Sequence, residues 1–127
     1  VARILLIEDD DRIREMFSEL LVRAGHDVVS MVDGRDAAKL RGEVAAALVI
    51  TDILMPERDG LETICELRQN APEVKIIAIS GGSKIGPTLY LESAQALGAD
   101  RTFAKPVDAA ELLAAVSELL GEQAPRS

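Results

Sequence analysis

The chain has 127 residues, 48% hydrophobic and 28% charged, the profile of one folded domain around a single core. Its 22 acidic residues outnumber 14 basic ones, and a formal charge of −8 repels phosphate backbones, which argues against nucleic-acid binding. Aromatic residues make up only 2%, with no Trp, so a stacking platform for bases or flavins is excluded.

Short β-branched apolar runs alternate with helical patterns along the chain. Residues 3–7 (Arg-Ile-Leu-Leu-Ile) read as a strand buried on both faces, because the apolar run is continuous. Asp10 or Asp11 then caps a helix whose Ile13, Phe17, Leu20, Leu21 and Ala24 recur at spacings of three and four, with Gly25 at its end. A second strand is predicted over 27–32, a short helix over 34–41 and a third strand over 47–51, ending at Asp52. Residues 60–70 are helical, with Leu61, Ile64, Cys65 and Leu67 inward and Pro72 after the stop. A fourth strand over 75–79 leads into a loop holding Gly81, Gly82, Gly86 and Pro87, then a helix over 88–97. A fifth strand spans 101–104 and a last helix 108–120. Residues 1–121 thus form one domain, and the polar tail 122–127 is expected to fray.

Five βα units in succession predict an α/β fold, a doubly wound five-stranded parallel sheet with helices on both faces. Ligands of such sheets bind outside the carboxyl ends of the strands. Four places follow: residues 8–11, 52–54, 80–82 and the Lys105-Pro106 pair.

The first strand ends in Glu8-Asp9-Asp10-Asp11. Asp10 and Asp11 are explained as acids at a helix N-terminus, whereas Glu8 and Asp9 sit where the strand delivers side chains into the crevice. Asp52 brings a third carboxylate there. Like charges about 4 Å apart repel by roughly 4 kcal/mol at an effective dielectric near 20, so three carboxylates in one crevice would protonate or move apart unless a cation compensates. Oxygen-only donors with positions left for water suit magnesium. Zinc is disfavoured, because Cys65 is predicted in a helix core and His26 in a solvated Gly-His-Asp turn. Beside magnesium, Asp52 could act as a nucleophile towards a phosphoryl group. Lys105 would place a mobile positive charge at the crevice, and Ser80 a hydroxyl donor. The glycines after Ser80 leave room for phosphate, but no Gly-Lys-Ser/Thr ending makes that loop a P-loop. The single cysteine cannot form an internal disulfide, and no basic-apolar leader opens the chain, so a cytoplasmic protein without a membrane span is expected.

With these residues in order, the chain resembles the receiver domain of two-component response regulators. The resemblance rests on Ile-Leu-Leu-Ile-Glu8-Asp9-Asp10, on Thr-Asp52-Ile-Leu-Met-Pro56 with Asp59-Gly60, on Ile-Ala-Ile-Ser80 and on Ala-Lys105-Pro106. It implies a flavodoxin-like (βα)5 fold in which Asp52 is the phosphoacceptor. Asp9, Glu8 through water and the Leu54 carbonyl would join Asp52 around Mg2+. Ser80 and Lys105 would hold phosphoryl oxygens, and Lys105-Pro106 would be cis. The implied partners are a histidine kinase or phosphotransfer protein as donor and a downstream protein or covalently attached output domain, with a phosphorylation-dependent dimer as one output. Such a domain is no enzyme beyond catalysing its own phosphorylation and dephosphorylation.

Two departures stand out. The family commonly has Tyr or Phe three residues before the Lys, where this chain has Thr102, and Phe103 falls on the opposite face of the strand. The segment between Ser80 and Lys105 is also longer and richer in glycine. An unphosphorylated interaction module is disfavoured by the retention of Asp9, Asp52 and Lys105. An Asp-x-Asp phosphatase is disfavoured by Leu54, and a flavin carrier by the missing aromatics.

Overall fold

A computed structural model describes residues 2–34, 37–53, 60–80 and 87–121, without the side chains of residues 38 and 87–91. Its elements follow the order β1 (Arg3–Ile7), α1 (Asp11–Arg23), β2 (Asp27–Met31), α2 (Ala37–Val44), β3 (Leu48–Asp52), α3 (Gly60–Asn70), β4 (Lys75–Ser80), α4 (Pro87–Leu97), β5 (Arg101–Ala104) and α5 (Ala109–Leu119). All pairings are parallel and the strand order is β2-β1-β3-β4-β5, so the five-stranded doubly wound sheet is as expected.

The continuous apolar runs of β1, β3 and β4 are the three central strands, and each is buried on both faces. Alternation splits their side chains between two cores. Leu5, Ile7, Val49, Ile76 and Ala78 pack with Ile64 and Leu67 of α3 and Ala94 of α4. Ile4, Leu6, Leu48, Ile50, Ile77 and Ile79 pack on the other face with Phe17 and Leu21 of α1 and Leu112 and Val116 of α5. Phe103 of the edge strand β5 joins this second core.

Asp10 is the N-cap of α1, its carboxylate accepting from the N–H groups of Arg12 at 2.9 Å and Ile13 at 3.1 Å. The expected short helix begins later, at Ala37, and runs to Val44. Gly34 is a packing glycine and not a helix start, since a Cβ there would lie 2.2 Å from Thr63 Oγ1 of α3. His26 also departs from expectation. It is 6% exposed, not solvated, and its N–H donates to the Leu21 carbonyl at the end of α1. Cys65 is only half-buried, because α3 turns Thr63, Ile64 and Leu67 inward and leaves Cys65 on its flank with Leu61 and Gln69. Leu54 and the glycine-rich segment 81–86 lie outside the described residues. No helix among the described residues is long and apolar enough to cross a membrane.

Candidate functional site

The strand order reverses between β2-β1 and β3, which makes the carboxyl ends of β1 and β3 the switch point of the sheet. Parity brings three charged groups to that point. Glu8 continues the row of Ile4 and Leu6, Asp52 the row of Leu48 and Ile50, and Lys105 follows Phe103 by two residues. All three therefore emerge on the face covered by α1 and α5.

Lys105 Nζ lies 3.0 Å from Asp52 Oδ2 and 3.3 Å from Glu8 Oε1, bridging carboxylates 97 and 53 residues away in sequence. Glu8 is 1% and Asp52 4% exposed, whereas Asp9 is exposed. One oxygen from each of Glu8, Asp9 and Asp52 can be chosen so that all lie within 4.8 Å of one another. At that separation two ionised carboxylates still repel by roughly 3 kcal/mol at an effective dielectric near 20.

The proton affinities record this crowding. Burial, then the charge of Asp52, pushes the Glu8 carboxyl from its ordinary 4.5 up to about 7, against the opposing pull of Lys105 and the Asp10 N–H. Burial pulls the Lys105 ammonium down, but the hydrogen bond and charge of Asp52, joined by Glu8, outweigh it and hold Lys105 above its ordinary value. Lys105 thus stays cationic at neutral pH.

The backbone around the site is tightly pinned. Glu8 N–H donates to the Met31 carbonyl at 3.0 Å, and Ile53 N–H to the Ile79 carbonyl at 2.9 Å. Lys105 N–H extends the β4-β5 ladder by donating to the Ser80 carbonyl at 2.8 Å, and the Lys105-Pro106 peptide is cis, as the resemblance implied. Gly60 opens α3 directly against the end of β3, where a Cβ would meet the Asp52 carbonyl oxygen at 2.4 Å and Ile53 Cα at 2.6 Å. Only glycine permits that approach.

Ser80 belongs to the opposite parity, following Ala78. It is fully buried, and its Oγ has no hydrogen-bond partner among the described residues. A buried hydroxyl without a partner retains an unused donor. Thr102 pairs with Ala78, half-buried, so the position of the family's usual aromatic carries a small side chain.

The donor set is all oxygen, with no nitrogen or sulfur ligand among the described residues. Such a set fits a hard dication and not a thiophilic metal. Sequence reasoning missed Arg14, whose Nη1 donates to the Glu8 carbonyl at 2.9 Å. Its signal was faint: an Arg in the second turn of a helix reads as an ordinary solvated residue.

Comparison with known proteins agrees with this geometry. A family model described as the response regulator receiver domain matches residues 4–117. The transcriptional regulatory protein CpxR of Klebsiella pneumoniae is 34% identical over 118 residues, covering 93% of this chain and 49% of that protein. The chain spans about half the length of the curated relatives it matches. Among solved structures, a response regulator receiver domain protein of Clostridium thermocellum superposes with a TM-score of 0.85 at 25% identity, covering 95% of each chain. The chemotaxis protein CheY4 of Vibrio cholerae gives 0.80 at 26% identity, covering 94% of this chain and 98% of that one.

Proposed function

This chain belongs to the response regulator receiver domain family, and we propose that within it Asp52 accepts a phosphoryl group in a magnesium-dependent reaction. The observation that carries the proposal is the Lys105 ammonium bridging buried Asp52 and Glu8 at the switch point of the sheet. A purely structural ion pair would need one carboxylate, not three within 4.8 Å.

The donor is a phosphohistidine on a histidine kinase or phosphotransfer protein. An Asp52 carboxylate oxygen attacks phosphorus, the P–N bond breaks, and its electron pair stays on the imidazole, which takes up a proton. An acyl phosphate on Asp52 results. Lys105 moves from the Asp52 carboxylate to a phosphoryl oxygen, and the Ser80 hydroxyl donates to another. Glu8, Asp9, Asp52 and the Leu54 carbonyl are the groups that would hold Mg2+. When bound, the ion neutralises charge on the phosphoryl oxygens. Positioning and charge neutralisation supply the rate of both phosphorylation and the later attack of water that returns the carboxylate.

The domain turns over no other substrate and works in the cytoplasm. Residues 1–121 form the functional unit. Its output passes to a downstream protein or an attached domain, which accords with relatives about twice its length, and includes a phosphorylation-dependent dimer. Incubation with acetyl phosphate and Mg2+ should add one phosphoryl group to the intact mass, labile at alkaline pH. Asp52→Asn should abolish that adduct. A variant that still acquired it would refute the assignment.

A further inference from the structure

Asp9 is the exposed member of the acidic cluster, so packing does not set the direction of its carboxylate. Glu8 is different: its carboxylate is buried, accepts from Lys105 at 3.3 Å and from the Asp10 N–H at 3.3 Å. Among the described residues, what fixes the direction of Asp9 acts through its backbone. The peptide joining Glu8 to Asp9 carries the Glu8 carbonyl on one edge and the Asp9 N–H on the other, in one rigid plane. Arg14 Nη1 holds that carbonyl at 2.9 Å. The other arm of the same guanidinium pairs with Asp11, and the Arg14 side chain is only 19% exposed. Its own N–H donates to the Asp10 carbonyl at 2.9 Å, so α1 anchors the arginine from behind.

We infer that Arg14 is a positioning residue for the metal ligand Asp9, fixing the Glu8-Asp9 peptide plane from the second turn of α1. This rests on the reading of Glu8, Asp9 and Asp52 as a magnesium site and adds a residue to it. The planar fork of arginine suits the task, since one side chain spans a carbonyl and a carboxylate at a fixed separation. Groups that orient ligands without touching the metal commonly change affinity by about 10- to 100-fold when removed.

The sign of the effect separates positioning from charge. Arg14 is a cation beside a cation site, so on electrostatic grounds alone its removal should tighten binding of a dication. Positioning demands the opposite. Titration calorimetry with Mg2+ on the folded parent, Arg14→Met, Asp9→Asn and the double variant tests this. Arg14→Met should weaken binding by about 10-fold, yet change it by less than about 2-fold in the Asp9→Asn background, because the ligand it positions is gone. Arg14→Lys, which keeps the charge but loses the fork, should also bind more weakly, and it serves if Arg14→Met fails to fold. Arginine variants that bind Mg2+ as tightly as the parent or tighter would overturn the inference, as would a loss that persists in full beside Asp9→Asn. A parent without measurable Mg2+ binding, or an Asp9→Asn variant equal to the parent, would instead overturn the metal-site reading, and this inference with it.

Discussion

Replacing Glu8 by Gln should stabilise the metal-free protein at pH 8. The Glu8 carboxyl is 1% exposed, and burial together with the Asp52 charge raises it from 4.5 to about 7. In the unfolded chain the proton leaves near 4.5, whereas the folded protein keeps it until about 7. Between those values the folded state holds more protons than the unfolded state, so stability falls as pH rises. The Glu8 contribution is fully present below 4.5 and lost above 7. About two and a half pH units at about 1.36 kcal/mol each amount to roughly 3 kcal/mol. Glutamine mimics the neutral acid, because its amide oxygen can still accept from Lys105 and the Asp10 N–H. Urea unfolding followed by circular dichroism, with chelator present, should show Glu8→Gln ahead by roughly 1 kcal/mol at pH 5.5 and about 3 at pH 8. If the Lys105 bridge instead made ionised Glu8 a net stabiliser, the variant would lose about 3 kcal/mol or more at pH 8. That loss, or a pH slope unchanged from the parent, would show that Glu8 is not held protonated by burial and Asp52.

Arg68 ties three segments together, its Nε donating to the Gly98 carbonyl at 2.9 Å, Nη2 to Asp100 at 2.6 Å, and Nη1 to the carbonyls of Pro72 and Val74. Arg68→Ala should cost about 2–4 kcal/mol in urea unfolding and raise amide exchange at Asp100, and a loss below 1 kcal/mol would contradict this. Phe103 packs half-buried in the α1-α5 core, away from Thr102. Phe103→Ala should therefore cost about 2 kcal/mol while acetyl phosphate still labels the protein, whereas loss of labelling in the folded variant would show that the ring serves the site.

The strands and the charged residues at their ends were legible because both depend on local pattern. A continuous apolar run marked β1 as buried on both faces, and the rule that ligands gather at the carboxyl ends of parallel strands put Glu8, Asp52 and Lys105 at one crevice. What was illegible depended on distant partners. Gly34 reads as a helix start until Thr63 is found against it, and His26 reads as a solvated turn although the folded chain buries it. Cys65 matched the helical spacing of α3, but the buried stripe runs through polar Thr63, which hydropathy ranks outside. Arg14 and Arg68 gave least away, because their partners are chiefly backbone carbonyls, and any residue supplies one. The elevated proton affinity of Glu8 was likewise out of reach, since it depends on depth of burial as much as on neighbouring charge.

Phosphorylation on Asp52 can be read out at the level of the single residue. Borohydride reduces an acyl phosphate of aspartate to homoserine and leaves free carboxylates untouched, so peptide mass spectrometry after phosphorylation and reduction reads the position directly. Homoserine is expected at residue 52 and at no other acid. Homoserine at Asp9, Asp10 or Asp11 with residue 52 unmodified would contradict it.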